Sequence, residues 1–388
     1  MADRSLIFPA SEYRGRVARL QRQMLDAGLD ALLLTMPADI FYVTGFLTRF
    51  WESPTRPWYV IVPPAANPVA IIPAIGADLM GRTYVSDIRC WNAPDPEDDG
   101  VSLLAAALSD MTPPAGQIGV PMGLETHMRM PLADLRRLEQ SLAPRVLADG
   151  TTTVQRVREI KSEAEIEKIR ATCAVADRSF ARVPDFAWPG RGLDAVFRDF
   201  QVALLEEGAD WVSYVAGGAG PGGYGDVISP ALPDPLSPGD VLMLDTGAVR
   251  EGYFCDFDRN FAIGPASSAA RRAYEALWQA TETTLAALRP GMPACEAHRL
   301  LDEAIRRGGA EPTGGRLGHG LGLTLTEWPS FTPRDTTPLR EGMVLTLEPG
   351  AVVDGARIQV HEEDVVLRAD GCELLSCRAP AELPEIGS

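Results

Sequence analysis

The sequence has 388 residues, 46% of them hydrophobic, and a formal net charge of −17. This length is enough for two domains with a sizeable core, and the negative charge argues against a nucleic-acid partner because no basic stripe could offset it. No apolar run is long enough to span a bilayer and the first residues lack a signal-peptide pattern, so we expect a cytoplasmic protein without a membrane partner.

The first part of the chain alternates helical and strand patterns. Apolar positions at helical spacing over residues 11–28 are followed by short apolar runs of strand length, which is typical of a small α/β domain. Ser162 and Glu165 form a capping-box pattern before a long amphipathic helix, and the later patterns suggest an α+β domain. We therefore predict a smaller α/β domain over residues 1–155 and an α+β domain over residues 156–388.

Residues 46–59 form an aromatic-rich segment of the first domain. In one interpretation this segment lines a site, and Arg49 and Arg56 then indicate an anionic group on the substrate. In the other interpretation it is a surface loop whose tryptophans pack on the C-terminal half of the chain. The sequence leaves both interpretations open.

Residues 242–261 hold two aspartates in a pattern of paired strands. The apolar run before Asp245 predicts a buried strand that ends at this residue, and a second strand is predicted from Tyr253 to Phe261. Asp245 and Asp256 can then face one another across the pair, where two carboxylates repel unless a cation lies between them. The alternative is two surface aspartates at strand ends.

Three later segments supply further side chains of metal-ligand type. His319 lies among glycines, which allow the backbone to approach a neighbour closely. Glu348 ends an apolar strand, and Glu362 and Glu363 lie in another strand, where alternation sends only one of the two inward. Four carboxylates and one imidazole suit a pair of divalent ions such as Mn, Co, Fe or Zn. Each residue alone also has an ordinary structural explanation, so the hypothesis rests on the order of the five.

This order of motifs resembles the pita-bread metallohydrolase superfamily, which includes methionine aminopeptidase, aminopeptidase P, prolidase and creatinase. The family pattern places its second aspartate eleven positions after the first, followed by GHG, EPG and a final E-x-D motif. The corresponding residues here are Asp245, Asp256, His319, Glu348 and Glu362. The last match is ambiguous by one residue, and Glu363 is its alternative.

The resemblance implies a fold, an activity and residue roles. The fold is a pita-bread α+β domain preceded by a creatinase-type α/β domain. The activity is that of an Xaa-Pro peptidase type of hydrolase, in which a hydroxide shared by two divalent ions attacks a peptide or small amide. Among the five expected ligands, Glu348 and His319 have the catalytic roles. A homodimer is also implied, and it is favoured because the segment 46–59 would otherwise expose a large apolar surface.

The sequence departs from the peptidase pattern at two histidines that help bind the substrate carbonyl in the family. The first is absent from residues 216–227, where Tyr224 and Asp226 are the candidates to occupy its space. The second, seven positions beyond the GHG histidine, is replaced by Thr326, which Glu327 follows. We expect these four residues to contact the substrate, and we expect weak activity on Xaa-Pro peptides.

A further departure lies next to the second aspartate. Asp258 stands where the family usually has threonine. It could be an extra metal ligand or pair with Arg259, and we favour the pairing. The altered surroundings leave two alternatives to a hydrolase. One is a lyase similar to dimethylsulfoniopropionate lyase, with Tyr224, Asp226 or Glu327 as the base. The other is a non-catalytic binding protein, since a function cannot be taken from a fold alone.

Overall fold

The computed structural model describes residues 7–53 and 56–387. Contacts between residues divide the chain into two compact units, Met1–Arg158 and Glu159–Ser388. Among the helices formed by the described residues, none has both the length and the apolar character needed to cross a bilayer.

The first unit is one six-stranded mixed sheet with helices packed on it. Its elements are α1 (Ala10–Ala27), β1 (Ala31–Leu34), α2 (Pro37–Thr44), β2 (Tyr59–Val62), β3 (Val69–Pro73), α3 (Ala77–Met80), β4 (Asp87–Trp91), α4 (Val101–Met111), β5 (Gln117–Val120), α5 (Leu132–Leu142), β6 (Val146–Asp149) and α6 (Thr151–Arg158). The strand order is β4-β3-β2-β1-β5-β6, and β2 is antiparallel to both of its neighbours. Buried side chains of α4 and α5, such as Leu104 and Leu138, pack on Leu33 and Ile61 of the sheet. This arrangement confirms the predicted α/β domain.

The described part of the segment 46–59 packs within the first unit. Phe46 and Trp58 are 1% and 3% exposed, and the Trp51 ring centroid lies 5.6 Å from each of their rings. The tryptophans thus pack on each other and on Phe46. The homodimer was expected because this segment would otherwise expose apolar surface, and much of that surface is buried within the first unit. Residues 54–55 lie outside the described part of the chain.

The second unit combines long helices with mainly antiparallel sheets. Its elements are α7 (Glu163–Phe180), α8 (Leu193–Glu206), β7 (Trp211–Pro221), β8 (Asp240–Arg250), β9 (Tyr253–Phe254), β10 (Phe257–Ile263), α9 (Ser268–Ala287), α10 (Ala294–Arg307), β11 (Glu311–Pro312), β12 (His319–Gly320), β13 (Glu327–Ser330), β14 (Val344–Leu347), β15 (Gly350–Asp354), β16 (Arg357–Val360), β17 (Glu363–Arg368), β18 (Gly371–Leu374) and β19 (Glu385–Ile386). One sheet has the order β19-β10-β8-β7 with β9 beside β8, a second has the order β13-β12-β14-β17-β18, and a short third has the order β11-β15-β16. The α+β character of this half is as predicted.

Helix α7 begins where the capping-box pattern placed it. The Ser162 side chain accepts a hydrogen bond from the Glu165 backbone N–H at 3.3 Å, and Glu165 Oε2 accepts one from Ser162 N–H at 3.1 Å. The apolar face of the helix, including Ile166 and Ile169, is buried, and the helix packs on β8. The capped helix therefore supports the sheet that carries both aspartates of the motif.

Strand β8 differs from the prediction because it continues past Asp245. Asp245 lies opposite Asp258 of β10 and opposite Ala216 of β7, so the hydrogen-bond ladder extends on both sides of it. The second predicted strand is divided into β9 and β10, with Asp256 between them. Asp245 therefore lies in the body of the sheet, and Asp256 is a buried residue immediately before β10 and not an exposed strand end.

Candidate metal centre

The second unit brings five side chains of metal-ligand type into two overlapping groups. Asp256, His319 and Glu348 form the first group, and Asp245, Asp256 and Glu362 form the second. Within each group the potential ligand atoms lie within 4.8 Å of one another. Asp256 belongs to both groups. The structure thus brings together the five residues that the motif order placed in one centre.

Two sheets supply these side chains. Asp245 lies in β8 and Asp256 immediately precedes β10 of the first sheet. His319 begins β12, Glu348 follows β14 and Glu362 precedes β17 of the second sheet. Because β14 lies between β12 and β17, the three ligand-bearing strand ends are neighbours.

The surroundings of His319 decide which ring nitrogen faces the other ligands. Nδ1 lies 2.7 Å from the Gly320 carbonyl oxygen, and since this oxygen can only accept, Nδ1 carries a hydrogen and donates it. Nε2 lies 2.8 Å from Glu348 Oε1 and 3.2 Å from Asp256 Oδ2. Nε2 is therefore the nitrogen available to a metal.

Gly318 and Thr346 hold the histidine strand close to β14. The His319 backbone N–H donates to Thr346 Oγ1 at 3.0 Å, and this hydroxyl donates to Glu348 Oε1 at 2.6 Å. Gly318 has a φ of 147°, and a Cβ at this position would overlap the Thr346 carbonyl oxygen. The absence of a side chain at Gly318 therefore lets the backbone before His319 lie against β14. The close approach expected from the glycines is thus to a neighbouring strand.

Tyr214 is a residue of the centre that the sequence analysis missed. It lies in β7, and its hydroxyl is 2.5 Å from Asp256 Oδ1 and 3.3 Å from Asp245 Oδ1. Its ring packs against Gly247, where a Cβ would lie 2.5 Å from the ring atom Cε1. A tyrosine in a half-buried strand belongs to no motif, so no local sequence signal could have identified it.

The carboxylates of the centre repel one another. Burial, and then the nearby Asp256, raise the pKa of Asp245 well above its usual value, and burial and then Asp245 do the same to Glu362. Burial also raises the pKa of Asp256, although His319 opposes the shift. A divalent cation relieves such repulsion, and oxygen-rich ligands with one imidazole have the donor chemistry of Mn, Co, Fe or Zn. The residues present therefore fit divalent metal ions.

His319 supplies the positive charge that the centre itself contains. Burial lowers its pKa, but the carboxylates of Glu348 and Asp256 outweigh burial and raise it well above the usual value. Burial likewise opposes ionisation of Glu348, yet His319 brings its pKa down to about 2. The positive charge of His319 thus offsets part of the negative charge of the carboxylates in the first group. The second group consists of carboxylates alone.

Glu362 and Glu363 face different surroundings. Glu362 belongs to the second ligand group, whereas Glu363 is 0% exposed and forms ion pairs with Arg259 Nη2 at 3.1 Å and Arg378 Nη1 at 3.0 Å. The Ala379 backbone N–H also donates to Glu363 Oε1 at 2.9 Å. The geometry therefore favours Glu362 over Glu363 as the ligand.

Comparison with known proteins identifies the family. The model of "Metallopeptidase family M24" matches residues 167–369, and that of "Creatinase/Prolidase N-terminal domain" matches residues 16–160. The probable dipeptidase PepE of Mycobacterium tuberculosis (strain ATCC 25618 / H37Rv) is 30% identical over 369 residues, which are 94% of each protein. The chain belongs to metallopeptidase family M24.

Further similar proteins match more than nine tenths of the chain. An Xaa-Pro dipeptidase of Pyrococcus horikoshii is 26% identical over 367 residues, covering 93% of this chain and 96% of that protein. The crystal structure of dipeptidase PepE from Mycobacterium ulcerans has a TM-score of 0.84 at 28% identity, covering 98% of this chain and 99% of that chain. The inferred resemblance, the pita-bread fold and a metallohydrolase are confirmed.

The expected pairing of Asp258 with Arg259, at a position where M24 proteins usually have threonine, is wrong. Consecutive residues of β10 face opposite sides, so the Arg259 guanidinium reaches the Asp258 carbonyl and the Glu363 carboxylate. The Asp258 carboxylate accepts hydrogen bonds from Asn260 Nδ2 at 2.7 Å and Glu362 N–H at 2.6 Å. Burial raises the pKa of Asp258 to about 8 although Arg259 lowers it.

Tyr224 and Asp226 take part in structural hydrogen bonds, which do not favour their expected substrate contacts. Tyr224 is 0% exposed, and its hydroxyl donates to Asn260 Oδ1 at 3.2 Å and accepts from Val360 N–H at 2.5 Å. Asp226 is exposed, and its Oδ1 accepts from the backbone N–H groups of residues 228–229 at 2.9 and 2.7 Å. The Asp226 carboxylate thus closes a surface turn, and the Tyr224 hydroxyl has both a donor and an acceptor partner within the protein.

Glu327 has contacts within the protein that do not favour its expected substrate contact. Its Oε2 forms an ion pair with Lys161 Nζ at 3.1 Å, and the two side chains are 6% and 2% exposed. Its Oε1 accepts from the Leu323 backbone N–H at 2.9 Å and from that of Thr324 at 3.3 Å. The carboxylate therefore stabilises the turn before β13. The pairing of Lys161 with this carboxylate was not predicted from the sequence.

Thr326 keeps a position compatible with its expected role. It is half-buried in the turn before β13. The preceding residue, Leu325, reaches the strand of Asp245, because a Cβ at Gly247 would lie 2.9 Å from Leu325 Cδ1. This places the turn beside the centre, so Thr326 is the remaining substrate-contact candidate among the four.

Proposed function

We propose that this protein is a peptidase that hydrolyses short peptides with two divalent ions. The ligands are Asp245, Asp256, His319, Glu348 and Glu362. The observation that carries the proposal is that Asp256 belongs to both ligand groups, since a shared carboxylate is how two adjacent ions are held together. The M24 family and the probable dipeptidase among its relatives support a peptide substrate. Manganese as the metal, a cytoplasmic location and a homodimer are further parts of the proposal.

The residues of the chain would position the substrate and move protons. Bound divalent ions supply polarisation of the peptide carbonyl and a lower pKa for water. Glu348 Oε1 faces His319 Nε2 and the Thr346 hydroxyl, which leaves Oε2 to take a proton from water and pass it to the departing amine. The Tyr214 hydroxyl donates to Asp256 and so fixes the orientation of the shared carboxylate.

Thr326 restricts the expected substrates. A threonine offers one neutral hydroxyl, which cannot carry the charge of an imidazolium near a developing oxyanion. The loss of such a donor costs about 10²-fold or more in rate. We therefore propose a dipeptidase with weak activity on Xaa-Pro bonds. A lyase receives no support, because the three candidate bases serve structural hydrogen bonds or an ion pair: Tyr224, Asp226 and Glu327.

The test uses the full-length protein, stripped of metal and then loaded with manganese, cobalt or zinc. We expect close to two ions per chain by elemental analysis, and metal-dependent release of amino acids from dipeptides, faster for non-prolyl dipeptides than for Gly-Pro. Asp256→Ala is expected to lose both ions and the activity, because this residue belongs to both groups. Asp226→Ala is the matched control, since it removes an exposed aspartate and is expected to keep both ions.

Three results would contradict parts of this proposal. Absence of bound metal at saturating manganese would remove the two-ion centre. Gly-Pro turnover at an ordinary enzyme rate of about 10 per second would show that Thr326 does not limit proline substrates. Formation of an alkene in place of an amine from a small carboxylate substrate would establish lyase chemistry.

A further inference from the structure

The face of β8 that carries Asp245 continues beyond the metal centre. Side chains alternate between the two faces along a strand, so Asp245, Gly247 and Val249 share one face of β8. At a rise of about 3.3 Å per residue, Gly247 lies about 7 Å and Val249 about 13 Å along the strand from Asp245. The side chains that cover these two positions therefore form a wall of the space beside Asp245.

An aromatic pair covers Val249. Trp211 of β7 and Phe254 of β9 are the cross-strand partners of Val249 on its two sides, and directly paired residues place their side chains on the same face. The two ring centroids lie 6.4 Å apart with the ring planes at 74°, so the rings meet edge to face over Val249, which is 2% exposed. Both aromatic residues are only half-buried, so part of their apolar surface stays open.

Leu325 lies between this aromatic pair and the centre. Gly247 is the next residue after Asp245 on the same face, and a Cβ at Gly247 would lie 2.9 Å from Leu325 Cδ1 and 2.5 Å from Tyr214 Cε1. The Leu325 side chain therefore lies over Gly247 beside the Tyr214 ring, whose hydroxyl contacts the centre. Leu325 is half-buried as well. The tyrosine ring, Leu325 and the aromatic pair thus follow one another along this face.

Backbone hydrogen bonds fix the position of Leu325. The Phe254 N–H donates to the Gly322 carbonyl oxygen at 2.9 Å, which ties β9 to the turn that carries Leu325. Inside the same turn the Glu327 carboxylate accepts two backbone N–H groups, at 2.9 and 3.3 Å. The apolar wall is therefore preorganised, which lowers the free-energy cost of ordering it around a ligand.

We propose that Leu325, Trp211 and Phe254 form an apolar subsite that selects dipeptides with a long aliphatic or aromatic side chain. The proposal rests on the peptidase function above and names the substrate class of the same site. One methylene group in an apolar pocket changes kcat/KM by about 10–200-fold, so alanine is a poorer occupant than leucine or phenylalanine. None of the three residues supplies a charge, so a glutamate side chain would lose water there without gaining a partner.

The test measures kcat/KM of the manganese-loaded, full-length protein for two dipeptide series, X-Ala and Ala-X, in which X is alanine, leucine, phenylalanine or glutamate. We expect leucine and phenylalanine to exceed alanine about tenfold or more in one series, and glutamate to fall below alanine. Leu325→Ala, Trp211→Ala and Phe254→Ala are each expected to lower the ratio of the phenylalanine to the alanine substrate. Leu325→Met keeps an apolar side chain of similar volume and is expected to retain most of the ratio.

The ratio is taken within each variant, so a reduced fraction of folded or metal-loaded protein does not change it. Leu205→Ala is the matched control, since it removes a leucine of α8 that is 48% exposed, and it is expected to keep the wild-type ratio. Equal rates for alanine and phenylalanine substrates in the wild type, a preference for glutamate, or a ratio that Leu325→Ala lowers no more than Leu205→Ala does would overturn the apolar subsite. No cleavage of any dipeptide in either series would instead overturn the peptidase function.

Discussion

The Tyr214 hydroxyl lies between the two aspartates of the centre, closer to Asp256 Oδ1 than to Asp245 Oδ1. A single phenolic proton cannot serve both oxygens at full strength, so the distances indicate that it belongs mainly to the bond with Asp256. Since Asp256 is common to both ligand groups, one hydroxyl orients a carboxylate on which both groups depend. This makes Tyr214 a sensitive position outside the ligand set.

Tyr214→Phe is expected to weaken metal binding about tenfold, because it removes the hydrogen bond to a ligand and keeps the ring against Gly247. Competition with a chelator of known affinity measures the change. Tyr253→Phe is the control, since Tyr253 is 0% exposed and its hydroxyl donates to Glu165 at 3.0 Å, away from the ligand groups. Equal metal affinity in the Tyr214 and Tyr253 variants would contradict this role.

Single residues were predictable where a short motif surrounds them. His319 and Glu348 stand in GHG and EPG, and both lie in the centre. The choice between Glu362 and Glu363 needed coordinates, because alternation along a strand shows that neighbours face opposite sides but not which one faces inward. The error at Asp258 has the same origin, since a pairing with its neighbour ignored this alternation.

The turn between β12 and β13 depends on a contact far away in sequence. Glu327 closes the turn through the Leu323 N–H, and its other oxygen pairs with Lys161. The backbone N–H of Lys161 donates to the Gly342 carbonyl oxygen at 2.9 Å, which fixes the lysine at the start of the second unit. The turn that carries Thr326 is therefore held by a buried ion pair.

Lys161→Met is expected to lower the free energy of unfolding by about 3–5 kcal/mol, because it leaves the buried Glu327 carboxylate without its cation. Denaturant titration of the metal-free protein, followed by tryptophan fluorescence, measures the loss. Lys168→Met is the matched control: its pair with Glu251 at 2.8 Å has side chains 25% and 37% exposed, so a loss below about 1 kcal/mol is expected. Similar losses in the two variants would show that burial of the Lys161 pair has no special effect.

At the scale of the molecule, the two-part architecture could be predicted because long helices and apolar strands have clear periodicities. The order and the exact lengths of the strands in the sheets could not be predicted. Strands β12 and β19 are two residues long, which is too short for any period to be recognised, and yet β12 carries His319. Tertiary contacts define such strands, so only the motif pointed to this part of the centre.

The homodimer expectation now rests mainly on the resemblance to the two-domain branch of the family. Among the described side chains of the segment 46–59, two large apolar ones remain exposed, Leu47 by 38% and Phe50 by 39%. Light scattering at low concentration is expected to give the mass of two chains, and Phe50→Glu is expected to weaken the dimer. Leu25→Glu is the control, since Leu25 is 78% exposed in α1. A single-chain mass with full activity would contradict the dimer.

The five ligand-type side chains come from two sheets and from positions between Asp245 and Glu362. Such a centre has a high contact order, because its parts meet only after the intervening chain has folded and the sheets have docked. A nascent or partly folded chain therefore offers no preformed site, and metal cannot guide the early steps of folding. The ions would bind the native state alone, so metal scarcity would shorten the lifetime of the finished protein without slowing its synthesis or collapse.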